Sequence, residues 1–200
     1  MTSVNYYGNV NPTLLQSVDL SATRICEFGC GAGALAHAIK TRLAHPVHYV
    51  GVEIAAEELA KAGGVLDIGL VRNLDQIKDW QTDPEMAQAL PMGHFDHVIF
   101  GDVLEHLYEP ELVLQQAVRC LKPNGSALVC IPNVQHWSVW LHLLRGTWPR
   151  QSSGLFDRTH IRWFALADMV ALLQGQGLVV EKVIPRIFNP EKGQALIESL

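Results

Sequence analysis

Arg24-Ile25-Cys26-Glu27-Phe28-Gly29-Cys30-Gly31-Ala32-Gly33 is the stretch from which the fold follows. Arg24–Phe28 is a short apolar run that ends in a glycine cluster, the pattern of a buried strand. Three glycines at alternate positions let the chain turn sharply and bring its backbone close to a ligand. Ala34–Leu43 then has helical composition up to Pro46, so the helix would aim its first amides into the space the glycines leave open. A tight strand-to-helix turn with no ligand is the plainer alternative, and the spacing of the three glycines argues for a ligand.

Outward from this loop the pattern repeats. Val47–Val52, Val65–Val71, Phe95–Phe100, Ser126–Ile131 and Leu178–Ile184 read as further strands. Helices are expected at Ala55–Ala62, from about Glu109 to Leu121, and at Ala165–Gln174, with a turn at Lys122-Pro123-Asn124-Gly125. The alternation predicts an α/β fold: a Rossmann-like, doubly wound, mostly parallel sheet of six to seven strands with helices on both faces. Ligands of such sheets bind beyond the carboxyl ends of the strands, where strand order reverses.

The glycine loop alone leaves the ligand open. Gly29-x-Gly31-x-x-Ala34 satisfies a dinucleotide fingerprint, and Glu53 at the end of the second strand suits the ribose of NAD or of any other adenosine cofactor. Glu27 stands two residues before the first glycine, and the residues by themselves do not separate NAD from other adenosine cofactors.

Four segments in order resemble class I S-adenosylmethionine-dependent methyltransferases. They are Glu27-x-Gly29-x-Gly31-x-Gly33, Val50-Gly51-Val52-Glu53, Phe95–Ile99 with Gly101–Leu107, and Leu121-Lys122-Pro123-Asn124-Gly125-Ser126. The resemblance spans roughly residues 20 to 185, and it implies a seventh, antiparallel strand, short and near Arg186–Phe188 unless the chain is cut from a longer one. It implies one domain over 1–200: a cofactor-binding core at about 20–131, a substrate-side insertion at about 132–164, and a final helix and strand at about 165–190. It implies S-adenosyl-L-methionine as cofactor. Gly29, Cys30, Gly31 and Gly33 would line the methionine and ribose, with Cys30 read from its own context as packing. Glu27, the acidic residue that distinguishes this family's first motif, would lie beneath the loop and orient the methionine end, where a carboxylate suits an ammonium and a sulfonium and repels a pyrophosphate. Glu53 would hold the ribose hydroxyls, Ile54 would pack on the adenine, and Asn73 with Leu74 would cap it, Asp75 being the alternative two residues on. Gly101, Asp102 and Val103 would flank the methionine from the fourth strand.

Asp102-Val103-Leu104-Glu105-His106 is also similar to the metal-binding stretch of ubiquinone-biosynthesis O-methyltransferases and small-RNA 3′-end methyltransferases. In both a later histidine completes the site, and His160 stands at that place. Glu105, His106 and His160 are therefore the candidate ligands of a divalent metal, with Asp102 one methylene shorter than the usual Glu. Without a metal, His106 or His160 is a candidate general base for an acceptor hydroxyl. The plainer reading makes both of them walls of the cleft.

Residues 132–164 are long for a connection. They hold Trp137, Trp140, Trp148 and Trp163, and His136–Arg145 has helical spacing with Trp137, Trp140, Leu141 and Leu144 on one side. This segment reads as a lid on the acceptor side. Ser153–Phe164 resembles a branch found beside sugar- and lipid-modifying enzymes, with Arg158 and Arg162 placed to hold an anionic acceptor or to pair with Asp157.

Composition bounds the rest. The 200 residues carry 15 basic and 20 acidic side chains, a net charge of −5 that argues against strong nucleic-acid binding. No apolar run reaches the length of a membrane span, and the first residues lack the blocks of a signal peptide. Cys26, Cys30, Cys120 and Cys130 form no Cys-x-x-Cys pair, which fits reduced thiols and a cytoplasmic protein. The resemblance, and not composition, implies the expected function: methyl transfer to a small-molecule, glycan or lipid-intermediate acceptor, at oxygen. A noncatalytic cofactor-binding domain, an NAD-dependent oxidoreductase and an RNA methyltransferase are the alternatives.

Overall fold

The structure is a computed structural model that describes residues 10–186. Its sheet has five parallel strands: β1 (Arg24–Phe28), β2 (His48–Glu53), β3 (Ile68–Val71), β4 (Phe95–Gly101) and β5 (Leu121–Cys130). Their order is β3-β2-β1-β4-β5, so the winding direction reverses between β1 and β4. Helices are α1 (Pro12–Ser17), α2 (Ala34–Leu43), α3 (Ala56–Lys61), α4 (Pro84–Ala89), α5 (Pro110–Arg119), α6 (Trp137–Leu144) and α7 (Leu166–Gln174).

β1 is central because its side chains are apolar on both faces. Ile25 joins Tyr49, Ile99, Leu35 and Ile39 under α1 and α2. Cys26 and Phe28 join Val50, Val98, Phe100 and Trp80 under α4 and α5. Phe28 stacks on Phe100 at 4.7 Å and meets Trp80 at 5.1 Å. Helices thus cover both faces, as a parallel sheet requires.

Three readings need correction. The sheet has five strands among the described residues, not six to seven. Leu178–Ile184, expected as strand six, makes no strand pairing among the described residues, and Val179 is 84% exposed. Strand-forming composition favours a pleated, half-buried place, but the segment acquires strand structure only with a partner to bond. Arg186 has no strand conformation, and the rest of the expected seventh strand lies outside the described residues. The Lys122–Gly125 turn lies inside β5. Asn124 takes a positive φ, and the register slips between Phe95↔Leu121 and His97↔Ser126, so the turn is built as a bulge. Helix α1, absent from the sequence reading, begins with a signal in plain view. Asn11 Oδ1 accepts from the amides of Thr13 and Leu14, and Pro12 follows at the first helical position.

Candidate active site

The glycine loop and the segment after β4 face each other across the reversal point. Gly29, Gly31 and Gly33 all have positive φ, +74°, +51° and +74°, which only glycine adopts freely. Gly29 is constrained twice, because a Cβ there would stand 2.4 Å from Val103 Cγ2. At Gly33 the space a Cβ would take is held by Ala62, 3.1 Å away, so the loop packs closely on both sides just before the first turn of α2.

Glu53 holds this loop in place. Its Oε2 accepts from the Gly31 amide at 2.9 Å, and its Oε1 accepts from the Ala55 amide at 2.9 Å. Each carboxylate oxygen keeps a second lone pair for another donor. Beside it Ile54 is 63% exposed at the end of β2. Cys30 is buried, and its Sγ fills the space over Gly51, where a Cβ would come within 2.6 Å. Burial pushes its thiol well above the usual range, so it packs and does not react.

Glu27 lies under the loop with one clear partner. Tyr49 Oη donates to its Oε2 at 2.8 Å. Burial pushes its carboxyl up to about 7, Tyr49 opposes that, and the Glu53 carboxylate adds to it. Between its ordinary value of 4.5 and about 7 the folded chain holds a proton that the unfolded chain has released. Stability therefore falls as pH rises through that window, by about 3 kcal/mol in full above it. Glu27→Gln is expected to flatten this slope and to raise the melting temperature at pH 8 by on the order of 5 °C. Thermal unfolding of both proteins between pH 5 and 8 checks it, and parallel slopes would refute the assignment.

Across the crevice, Gly101 is crossed by α1: a Cβ there would meet Leu14 Cδ1 at 3.1 Å. Asp102 has a positive φ of +57°, an uncommon backbone state for a residue with a side chain. Its Oδ2 pairs with Arg186 Nη1 at 3.2 Å, and its Oδ1 accepts from Cys130 Sγ at 3.3 Å. Burial and the neighbouring Asp102 push the Cys130 thiol up to about 12. On the β3 side, Asn73 caps the next turn by accepting from the Asp75 amide, and Asp75 accepts from the Tyr108 amide. Leu74 is buried in the core. Both polar candidates for the adenine edge are thus already partly engaged.

Glu105, His106 and His160 converge although 54 residues of chain separate the last two. Ligand atoms of the three lie within 4.8 Å of one another. The return of the insertion brings His160 there, because the Ile161 and Arg162 amides both donate to the Glu105 carbonyl at 3.0 Å. Arg162 also donates to the Tyr108 carbonyl. Glu105 is 1% exposed, and neither carboxylate oxygen has a hydrogen-bond partner among the described residues. Burial, then the Asp102 charge, pushes its carboxyl well up. His160 Nε2 stands 3.8 Å from Glu105 Oε1, while its Nδ1 faces the Leu155 carbonyl at 3.2 Å. His106 Nδ1 faces the Thr159 carbonyl and hydroxyl, each at 3.2 Å. Carbonyl acceptors at both Nδ1 atoms select the tautomer with its proton there and leave both Nε2 lone pairs free.

An aromatic wall leads away from the triad. His106 meets His160 at 4.8 Å, His160 meets Trp163 at 5.7 Å, Trp163 meets Trp148 at 4.8 Å, and Trp148 meets Phe156 at 5.3 Å. A separate open cleft of about 680 Å3, lined by Arg24, Lys40, His45 and His48 among others, lies at the amino ends of β1 and β2. That is the wrong end of the sheet for the chemistry.

Residues 9–183 match the family model described as a methyltransferase domain. The chain belongs to that family. It is a class I S-adenosylmethionine-dependent methyltransferase, and the dinucleotide and noncatalytic readings fall away. The ubiquinone biosynthesis O-methyltransferase of Pseudomonas aeruginosa (strain UCBPP-PA14) is 25% identical over 187 residues, covering 91% of this chain and 77% of that protein. The mitochondrial ubiquinone biosynthesis O-methyltransferase of Rattus norvegicus is 27% identical over 183 residues, covering 87% of this chain and 49% of that one. Among solved structures, an S-adenosylmethionine-dependent methyltransferase from Mesorhizobium loti superposes with a TM-score of 0.63 at 15% identity, covering 94% of this chain and 88% of its own. One from Aquifex aeolicus gives 0.60 at 14% identity, covering 86% and 81%. These two likenesses concern the fold. No helix of this methyltransferase, among the described residues, is long and apolar enough to cross a membrane.

Proposed function

We propose that this methyltransferase modifies a hydroxyl oxygen of a small-molecule acceptor, or of a glycan or lipid intermediate, held between the glycine loop and the insertion. The observation that carries the reading is the buried Glu105 carboxylate, unpartnered and facing two imidazoles with free Nε2 atoms. Oxygen acceptors need help in losing a proton, and this cluster is built to supply it. The names of the ubiquinone-biosynthesis relatives point to oxygen as well.

The cofactor fits the residues present. The side-chain-free backbone of the glycine loop, the spare lone pairs of Glu53 and the exposed Ile54 suit the methionine, ribose and adenine of S-adenosylmethionine, respectively. The Asn73–Leu74 backbone bounds the adenine end, and Gly101, Asp102 and Val103 bound the methionine end. When bound, the cofactor supplies a methyl made electrophilic by its sulfonium, and in-line transfer leaves S-adenosylhomocysteine. Glu27, under the loop, adds a carboxylate that favours the cofactor's ammonium. The chain contributes alignment and exclusion of water, and no covalent enzyme intermediate is needed.

His106 or His160 accepts the acceptor's proton at Nε2. The same donor set, one carboxylate and two imidazoles, also fits a divalent cation, and the orphaned buried carboxylate is the group such an ion would satisfy. Glu105, His106 and His160 would hold it, and it would supply Lewis acidity toward the acceptor oxygen.

Transfer of labelled methyl to phenolic, sugar and lipid-linked hydroxyl compounds, with and without a chelator, tests the reading. The expected result is a methyl ether, with activity reduced by about 100-fold or more in His106→Ala with His160→Ala. Methylation of nitrogen or of RNA, or full activity in the double variant, would overturn it.

A further inference from the structure

The described surface carries a large apolar feature on the insertion that the fold does not explain. In α6 only Val139 is buried. The stripe that would ordinarily face a core points outward: Trp140 is 61% exposed and Leu144 85%, with Trp137 and Leu143 also exposed. Trp148 continues this surface just past the helix and is exposed in turn. Exposed aromatic and leucine side chains gathered on one short segment mark a contact surface.

Charge says what the surface meets. Between residues 137 and 164 lie four arginines, Arg145, Arg150, Arg158 and Arg162, and a single acid, Asp157, in a chain of net charge −5. Asp157 is turned inward and accepts from the Thr159 amide and hydroxyl. Arg145, Arg150 and Arg158 form no ion pair among the described residues. Arg145 directly follows the exposed end of α6. An apolar helix face flanked by unpaired guanidinium groups is the pattern of a segment that lies in a membrane interface, its apolar side among acyl chains and its cations on anionic headgroups. A second copy of the chain would bring like charges together at the same face and gain no counter-charge.

We propose that α6 and the turn after it dock this enzyme on an anionic phospholipid surface, with the insertion and its aromatic wall facing the bilayer. An acceptor dissolved in the membrane would then reach the triad without crossing water.

Co-sedimentation with vesicles of phosphatidylcholine alone, and of phosphatidylcholine with roughly one-third phosphatidylglycerol, tests this without any acceptor. The expected result is binding to the anionic vesicles that weakens as salt rises. Trp140→Ala with Leu144→Ala, and separately Arg145→Ala with Arg150→Ala, should each lower the partition about tenfold. All these side chains are exposed, so S-adenosylhomocysteine affinity and melting temperature should stay as in the unchanged protein. Absence of binding to either vesicle would overturn the proposal. So would equal binding to neutral vesicles, or a dimer in sedimentation analysis that Leu144→Ala dissociates while vesicle binding is absent.

Discussion

Glu53→Ala is expected to weaken S-adenosylhomocysteine binding by at least about 100-fold. Two ribose hydroxyls donating to a carboxylate are worth about 1.5–3 kcal/mol each, and their joint loss alone amounts to two or more decades in affinity. The structure adds a second term. Glu53 also accepts from the Gly31 and Ala55 amides, so its removal leaves the loop amide without a partner and the loop without its tether. The variant therefore loses the contact and also the shape of the site. Calorimetric titration measures the first effect, and melting temperature in the absence of cofactor measures the second. Glu53→Gln separates them further, since its carbonyl oxygen can replace only one of the two loop contacts. Unchanged affinity in Glu53→Ala would remove this residue from the cofactor site.

Gly29→Ala carries the second large effect, on stability. A residue with a Cβ at φ +74° is strained by about 1 kcal/mol or more, and the new methyl would overlap Val103 Cγ2 at 2.4 Å. Overpacking of that kind adds about 1–3 kcal/mol. The total, about 2–4 kcal/mol, corresponds to a fall in melting temperature of roughly 5–15 °C. Val103→Ala combined with Gly29→Ala is expected to recover the overlap but not the strain. That partial recovery distinguishes a loop pressed against the segment after β4 from one that merely turns. A double variant no more stable than Gly29→Ala would show that Val103 does not approach the loop.

Much of this was legible along the chain. β1 reads correctly because Ile25, Cys26 and Phe28 are apolar on both faces, which is what a central parallel strand needs. The glycine loop reads correctly because its conformation is a local steric matter, decided by three missing Cβ atoms. Helix α1 went unread although Asn11-Pro12 announces its start, since six residues make a weak period. Leu178–Ile184 reads as a strand and pairs with nothing in the described sheet, because strand structure resides in bonds to a neighbour and not in the segment itself. The outward stripe of α6 is a similar case: its spacing shows that one side is apolar, and only packing shows that Val139, opposite, is the side that is covered.

By itself the sequence determined the alternating parallel fold and the glycine loop with the acidic residues around it, because each depends on local sterics or short-range periodicity. Only the tertiary structure decided that Glu53 tethers the loop beside it, that Glu27 leans on Tyr49, and that His160, expected with Glu105 and His106 from the family resemblance, arrives with its Nε2 toward Glu105. Those relations depend on how separate strands and a long insertion close around one crevice, and distance along the chain carries no information about them.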